Sequence, residues 1–87
     1  MAVEQKEILE KVTEALAKML MIDRVNIQPE STLVEDLGMD SYYAVELLFE
    51  LEDQYNIEIP DEAAYELKKV SDIVTYLHTR LAEPSSG

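Results

Sequence analysis

The chain has 87 residues, 19 acidic and 7 basic, for a formal net charge of −12, and it contains no cysteine. That length supports one small domain with a modest core; the missing cysteine excludes a disulfide framework and suits a reducing compartment such as the cytoplasm. The acidity excludes binding nucleic acid through its phosphates and disfavours anionic membrane surfaces, and no apolar run approaches the roughly 20 residues of a bilayer span.

The opening residues, MAVEQKEILE, lack the basic-then-apolar pattern of a secretory signal. A first helix is expected from Val3 to Met21. Ile8, Leu9, Val12, Ala15, Leu16, Met19 and Leu20 recur at the spacing of one buried face, and Glu and Lys fill the other. Asp23 to Asp40 reads as a long loop, because Asn26 and Pro29 argue against continued helix. Val25, Ile27, Leu33 and Leu37 are its expected anchors, and residues from Ser31 to Leu37 supply a turn that ends at Gly38. A second helix is expected from Ser41 to Tyr55, capped by Asp40 or Ser41, with Ala44, Leu47, Leu48, Leu51 and Tyr55 facing the core. Residues Asn56 to Pro60 are extended, since the residue before proline is biased away from helix. A short third helix starts at Asp61-Glu62 and runs through Leu67, its acids suited to a positive N-terminus. The last helix begins at Ser71 or Asp72 with Ile73, Val74, Leu77 and Leu81 as its stripe.

The expected fold is all-α: a four-helix bundle of three main helices and a short third helix, with the long loop between helices one and two. Residues 1–82 form the domain, a monomer, and residues 83–87 a disordered tail.

With the Ala44–Tyr55 face inward, Glu46, Glu50 and Asp53 point outward beside Tyr42 and Phe49, and Glu52 lies nearer Ser41. No Lys or Arg between Ser41 and Tyr55 relieves the repulsion among these acids. A helix that tolerates this and exposes an aromatic reads as a docking surface for basic proteins. The plainer alternative is a solvated face with an incidental aromatic.

Ser41 stands where a loop meets this helix, with almost no base in the chain to activate it. His78 is the one histidine, and it belongs to the last helix. Serine catalysis needs a base and an orienting group, so no catalytic residue is assigned and the chain is not read as an enzyme. The alternating acids and glycine of a calcium loop do not occur, so no metal site is assigned.

On these residues the chain resembles the acyl carrier proteins. Asp40-Ser41-Tyr42 matches their Asp-Ser-Leu motif at two positions, flanked by Glu35-Asp36-Leu37-Gly38, Val45-Glu46-Leu47 and Ile59-Pro60-Asp61-Glu62. The likeness runs from the first helix through Leu81.

The resemblance implies that Ser41 carries covalent 4′-phosphopantetheine, donated by coenzyme A through a phosphopantetheinyl transferase, whose thiol holds acyl groups as thioesters. It also implies that Asp40, Tyr42, Val45, Glu46, Phe49, Glu52 and Asp53 face basic patches on acyl-transferring and chain-elongating enzymes of fatty acid, polyketide or related lipid biosynthesis. Leu51, Ile59, Ala64, Leu67 and Val70 are expected either to line an acyl shelter or to be ordinary core.

Tyr42 replaces the usual leucine, and Tyr43 stands where a polar residue is common, which points to a dedicated rather than a housekeeping carrier. A peptidyl carrier would show Gly-Gly before the serine, and Gly38-Met39-Asp40 does not. The alternative is an acidic helical interaction module without a prosthetic group, in which Ser41 is merely a helix cap.

Overall fold

The structure is a computed structural model that describes residues 4–82, residues 41 and 82 by their backbone alone. Val3 and the expected tail at 83–87 fall outside the described residues. Four helices appear in the expected order: α1 Gln5–Leu20, α2 Ser41–Tyr55, α3 Asp61–Ala64 and α4 Val70–Ala82. Among the described residues the extended structure amounts to one isolated bridge, Thr32 with Lys69. No described helix is long and apolar enough to cross a membrane.

Ile8, Val12 and Leu16 of α1 are fully buried, spaced four residues apart on one face. They join Leu47 and Leu51 of α2, Val70, Ile73, Val74 and Leu77 of α4, and Ile59 in a single cluster that holds no buried polar or charged residue. Leu9, Ala15, Met19 and Leu20 pack at its edge, as do Ala44, Leu48 and Tyr55. Each buried aliphatic side chain contributes about 1.5–3 kcal/mol, which is how a chain of this charge stays folded.

α1 stops one residue earlier than expected. Met21 takes the left-handed conformation (φ 57°), and the amides of Met21 and Ile22 return to the Ala17 carbonyl. α2 ends in the same way on Asn56 (φ 54°), with Ile57 bonded to the Glu52 carbonyl.

The long loop is more structured than its polarity implies. A single 3-10 turn, Arg24–Asn26, opens it. That turn leaves Val25 77% exposed, so Val25 is not an anchor, whereas Ile27 and Leu33 are buried and Leu37 is half-buried as expected. The fourth anchor is Met39, 1% exposed, which sits between Gly38 and Asp40 with no periodic pattern to announce it. A turn over residues 33–37 is locked by Thr32 and Asp36. The Thr32 amide and hydroxyl donate to Asp36 Oδ2 at 2.8 and 3.0 Å, and the Asp36 amide donates back to Thr32 Oγ1 at 3.0 Å. Gly38 then takes φ +69°, a conformation that strains residues with a Cβ. The loop is also tied to the start of α4: Leu33 donates to the Lys68 carbonyl, Val70 to Ser31 and Ser71 to Pro29.

α3 is shorter than expected. Beyond Ala64 the chain continues in tight turns, Glu66 to Ala63 and Leu67 to Ala64, rather than as helix to Leu67. α4 begins at Val70, one residue before the earlier of its two expected starts. Asp72 Oδ2 accepts the Lys69 amide at 3.0 Å and the Lys68 amide at 3.2 Å, so this carboxylate reaches back to cap the turn preceding it.

Candidate attachment site and docking face

Ser41 is the first residue of α2. Asp40 before it is extended (φ −92°, ψ 179°), and its Oδ1 accepts the Tyr43 amide at 3.0 Å. Asp40 is therefore the N-cap, and the alternative assignment of that role to Ser41 is set aside. Met39, buried in the core, holds the loop end in place immediately before this cap. The position of residue 41 thus follows from one apolar anchor and one capping bond.

The residues present suit a phosphodiester. Residue 41 stands at the positive end of a four-turn helix, which favours a bound anion. A Cβ on Gly38, three residues earlier, would meet nothing within 4 Å. The neighbouring loop hydroxyls have other work: Ser31 Oγ accepts the Gln28 amide at 3.1 Å, and Thr32 Oγ1 bonds Asp36. The carboxyl of Asp36 is held below its ordinary value of 3.8 by the Thr32 amide first and the Thr32 hydroxyl second, which keeps this lock charged.

From residue 41, α2 presents the expected outward face. Tyr42 is 67% exposed, Phe49 64% and Val45 47%, with Glu46, Glu50, Asp53 and Asp40 also exposed. Spacings of three and four residues put Tyr42, Val45 and Phe49 in one apolar stripe flanked by carboxylates. Among the described residues the one ion pair is Lys18 with Glu14 on α1, at 3.9 Å, so no acid of α2 is directly paired with a described cation. Glu46 has an electrostatic effect already: its charge pushes the Tyr42 phenol above its ordinary value of 10.0. Tyr42 and Tyr43 meet edge to face, ring centroids 6.1 Å apart and planes 65° apart. Tyr43 turns toward α1, where a groove of about 470 Å3 is bordered by Lys11, Lys18, Glu46 and Glu50.

Glu52 differs from the other expected docking residues. It is half-buried, and its Oε2 accepts the Ile59 amide at 2.6 Å, so its carboxylate is committed inside the molecule. Of the residues considered for an acyl shelter, Leu51, Ile59 and Val70 are core members, and Ala64 and Leu67 are half-buried. His78 is half-buried on α4. Among the described residues no three His, Cys, Asp or Glu side chains converge on a metal position.

Comparison with known proteins agrees with this geometry. Residues 10–77 match the family model described as a phosphopantetheine attachment site. An acyl carrier protein of Thermosynechococcus vestitus is 42% identical over 78 residues, covering 90% of this chain and 96% of that protein. An acyl carrier protein of Clostridium acetobutylicum is 41% identical over 76 residues, covering 87% and 99%. Acyl carrier proteins are non-catalytic and work with biosynthetic enzymes. An all-α bundle, a capped serine position opening an acidic helix, and this match over most of its length place the chain in the acyl carrier protein family, whose members hold 4′-phosphopantetheine covalently.

Proposed function

We propose that Ser41 is the attachment residue and that the protein presents acyl groups, as thioesters, to enzymes of fatty acid, polyketide or related lipid biosynthesis. The observation that carries this reading is the place of residue 41: first in α2, after a buried Met39 and a capping Asp40. When bound, the prosthetic group supplies the thiol that the cysteine-free chain lacks. The chain's own residues do the rest. The N-terminus of α2 stabilises the phosphodiester charge. Asp40 keeps that terminus formed. Tyr42, Val45 and Phe49 give a partner an apolar grip, and Glu46 and Asp53, with Asp40, attract its basic rim. The transferase brings the activating base, which suits a chain with a single histidine and no cysteine. Tyr42 and Tyr43 beside the attachment residue favour a dedicated pathway over a housekeeping one, because they widen the aromatic surface any partner must accommodate.

The test is intact mass after incubation with coenzyme A, Mg²⁺ and a broad-specificity phosphopantetheinyl transferase. A phosphopantetheine-sized gain is expected on the wild type and none on Ser41→Ala, with both folded by circular dichroism. An equal gain on Ser41→Ala would place the attachment elsewhere. No gain on folded wild type, while a second carrier loads in the same tube, would refute the reading for that transferase class.

A further inference from the structure

The peptide group joining Glu58 to Ile59 is held at both of its polar ends. Its carbonyl, on Glu58, accepts Arg80 Nη1 of α4 at 2.7 Å. Its N–H, on Ile59, donates to Glu52 Oε2 of α2 at 2.6 Å. The cation meets the negative end of the peptide dipole and the anion meets the positive end, an arrangement in which both hydrogen bonds are charge-assisted. Arg80 is itself fixed: Nη1 also donates to the Tyr76 hydroxyl at 2.7 Å, and its guanidinium lies 5.6 Å from the centre of the Tyr76 ring. Glu52, Glu58, Ile59, Pro60 and Arg80 surround an open cleft of about 570 Å3 at this point.

What this peptide holds is the least anchored part of the bundle. α3, which follows at once, buries none of its four residues, and Tyr65 after it is 82% exposed. Ile59, 9% exposed, is the one buried residue of the connection, and it belongs to the same apolar cluster as Leu51 and Leu77. Freed of the peptide, Glu52 and Arg80 retain opposite charges and face the same cleft, so each is left a partner of opposite sign. The opened arrangement is therefore not one of abandoned charges.

We propose that Glu52 and Arg80 form a two-sided latch on the Glu58–Ile59 peptide. Closed, it holds the α2–α3 connection over the core; released, it lets Ile59 swing out and admits an aliphatic acyl chain. This second half rests on the carrier reading above; the latch itself does not.

Amide hydrogen exchange of the unloaded protein by NMR tests the latch. Glu52→Gln keeps the side-chain shape without the charge, and Arg80→Met keeps the stem without the donors. Both should speed exchange at Ile59 by about tenfold or more while Leu51 in the core is unchanged. The Arg80→Met result is the discriminating one, because Arg80 does not touch the Ile59 amide, and Arg80→Lys should restore part of the protection. If Ile59 and Leu51 accelerate together, or Arg80→Met leaves Ile59 unmoved, the latch is refuted.

The acyl half is tested on octanoyl-loaded and acetyl-loaded protein by the rate of thioester cleavage with hydroxylamine. Both variants should cleave the octanoyl form several-fold more slowly than wild type, because a released latch favours the sheltered chain, and the acetyl form at the wild-type rate. Unchanged or faster octanoyl cleavage would refute acyl admission through this opening. A wild type that never loads would refute the carrier reading, and the exchange result would still decide the latch.

Discussion

Between α1 and α4 the contact is made by Ile8, Val12 and Leu16 against Ile73, Val74 and Leu77, whereas the connection from α2 to α3 is held by a carboxylate and a guanidinium on one peptide. Apolar contact is non-directional and grows with area. It gives stability that is lost only when the whole face separates. A charge-assisted hydrogen bond is directional and local, and it breaks with a small displacement. The first side therefore behaves as a frame and the second as a part that can open while the frame persists. The acidic outer face of α2 adds a third kind of physics, long-range attraction that requires no fixed contact at all.

Truncating the frame should do the most damage. Leu16→Ala removes a fully buried side chain and should cost about 2–5 kcal/mol, read as a large fall in the midpoint of urea unfolding. Ile59→Ala, on the hinged side, should cost less, about 2 kcal/mol at the low end of the same range. If the two losses are equal, the α2–α3 side is as much frame as the other and the contrast fails.

Asp40→Ala removes the cap of α2 and should cost about 1 kcal/mol in the same assay. A loss several times larger would mean that the entry to α2 is part of the frame. Tyr55 refines the picture of the α1–α2 contact. Its hydroxyl is buried without a partner, and burial first and the Glu7 charge second push its pKa up from 10.0. Tyr55→Phe should leave stability unchanged or raise it by up to about 1 kcal/mol; a clear loss would mean that the hydroxyl has a partner in solution.

The smallest effect is a pH dependence at the loop lock. Because the folded-state pKa of Asp36 is depressed, its contribution is present above the ordinary value of 3.8 and is lost as pH falls through the lower folded value. Acidification also relieves repulsion among the other carboxylates, so the informative quantity is a difference. The melting temperature of wild type minus that of Asp36→Asn should be positive at neutral pH and should close below 3.8. A difference that does not change with pH would show that the Thr32–Asp36 lock does not depend on charge.

Much of this was readable in residue order. Helix α1 and its buried Ile8, Val12 and Leu16 follow from an uninterrupted helical repeat, and α2 from Ser41 to Tyr55 from a cap signal followed by a second repeat. The outward placement of Tyr42, Val45, Glu46, Phe49 and Asp53 follows from the same geometry, because the period that buries Leu47 and Leu51 must expose them. The loop was harder. Val25 and Met39 are both apolar points in the loop, yet one is exposed and the other buried. That choice depends on how a 3-10 turn and a left-handed Gly38 aim successive side chains, which no local repeat encodes.

The sequence by itself determined the number and order of helices, the capped serine position and the acidic outward face of α2. Each depends on residues within a few turns of one another, where spacing and charge act directly. The tertiary structure alone decided what Glu52 and Arg80 do. They lie on different helices, and they meet through the backbone of a third segment whose peptide dipole belongs to no particular side chain. A carboxylate on an acidic helix reads as one more docking charge until folding brings the Ile59 amide to it.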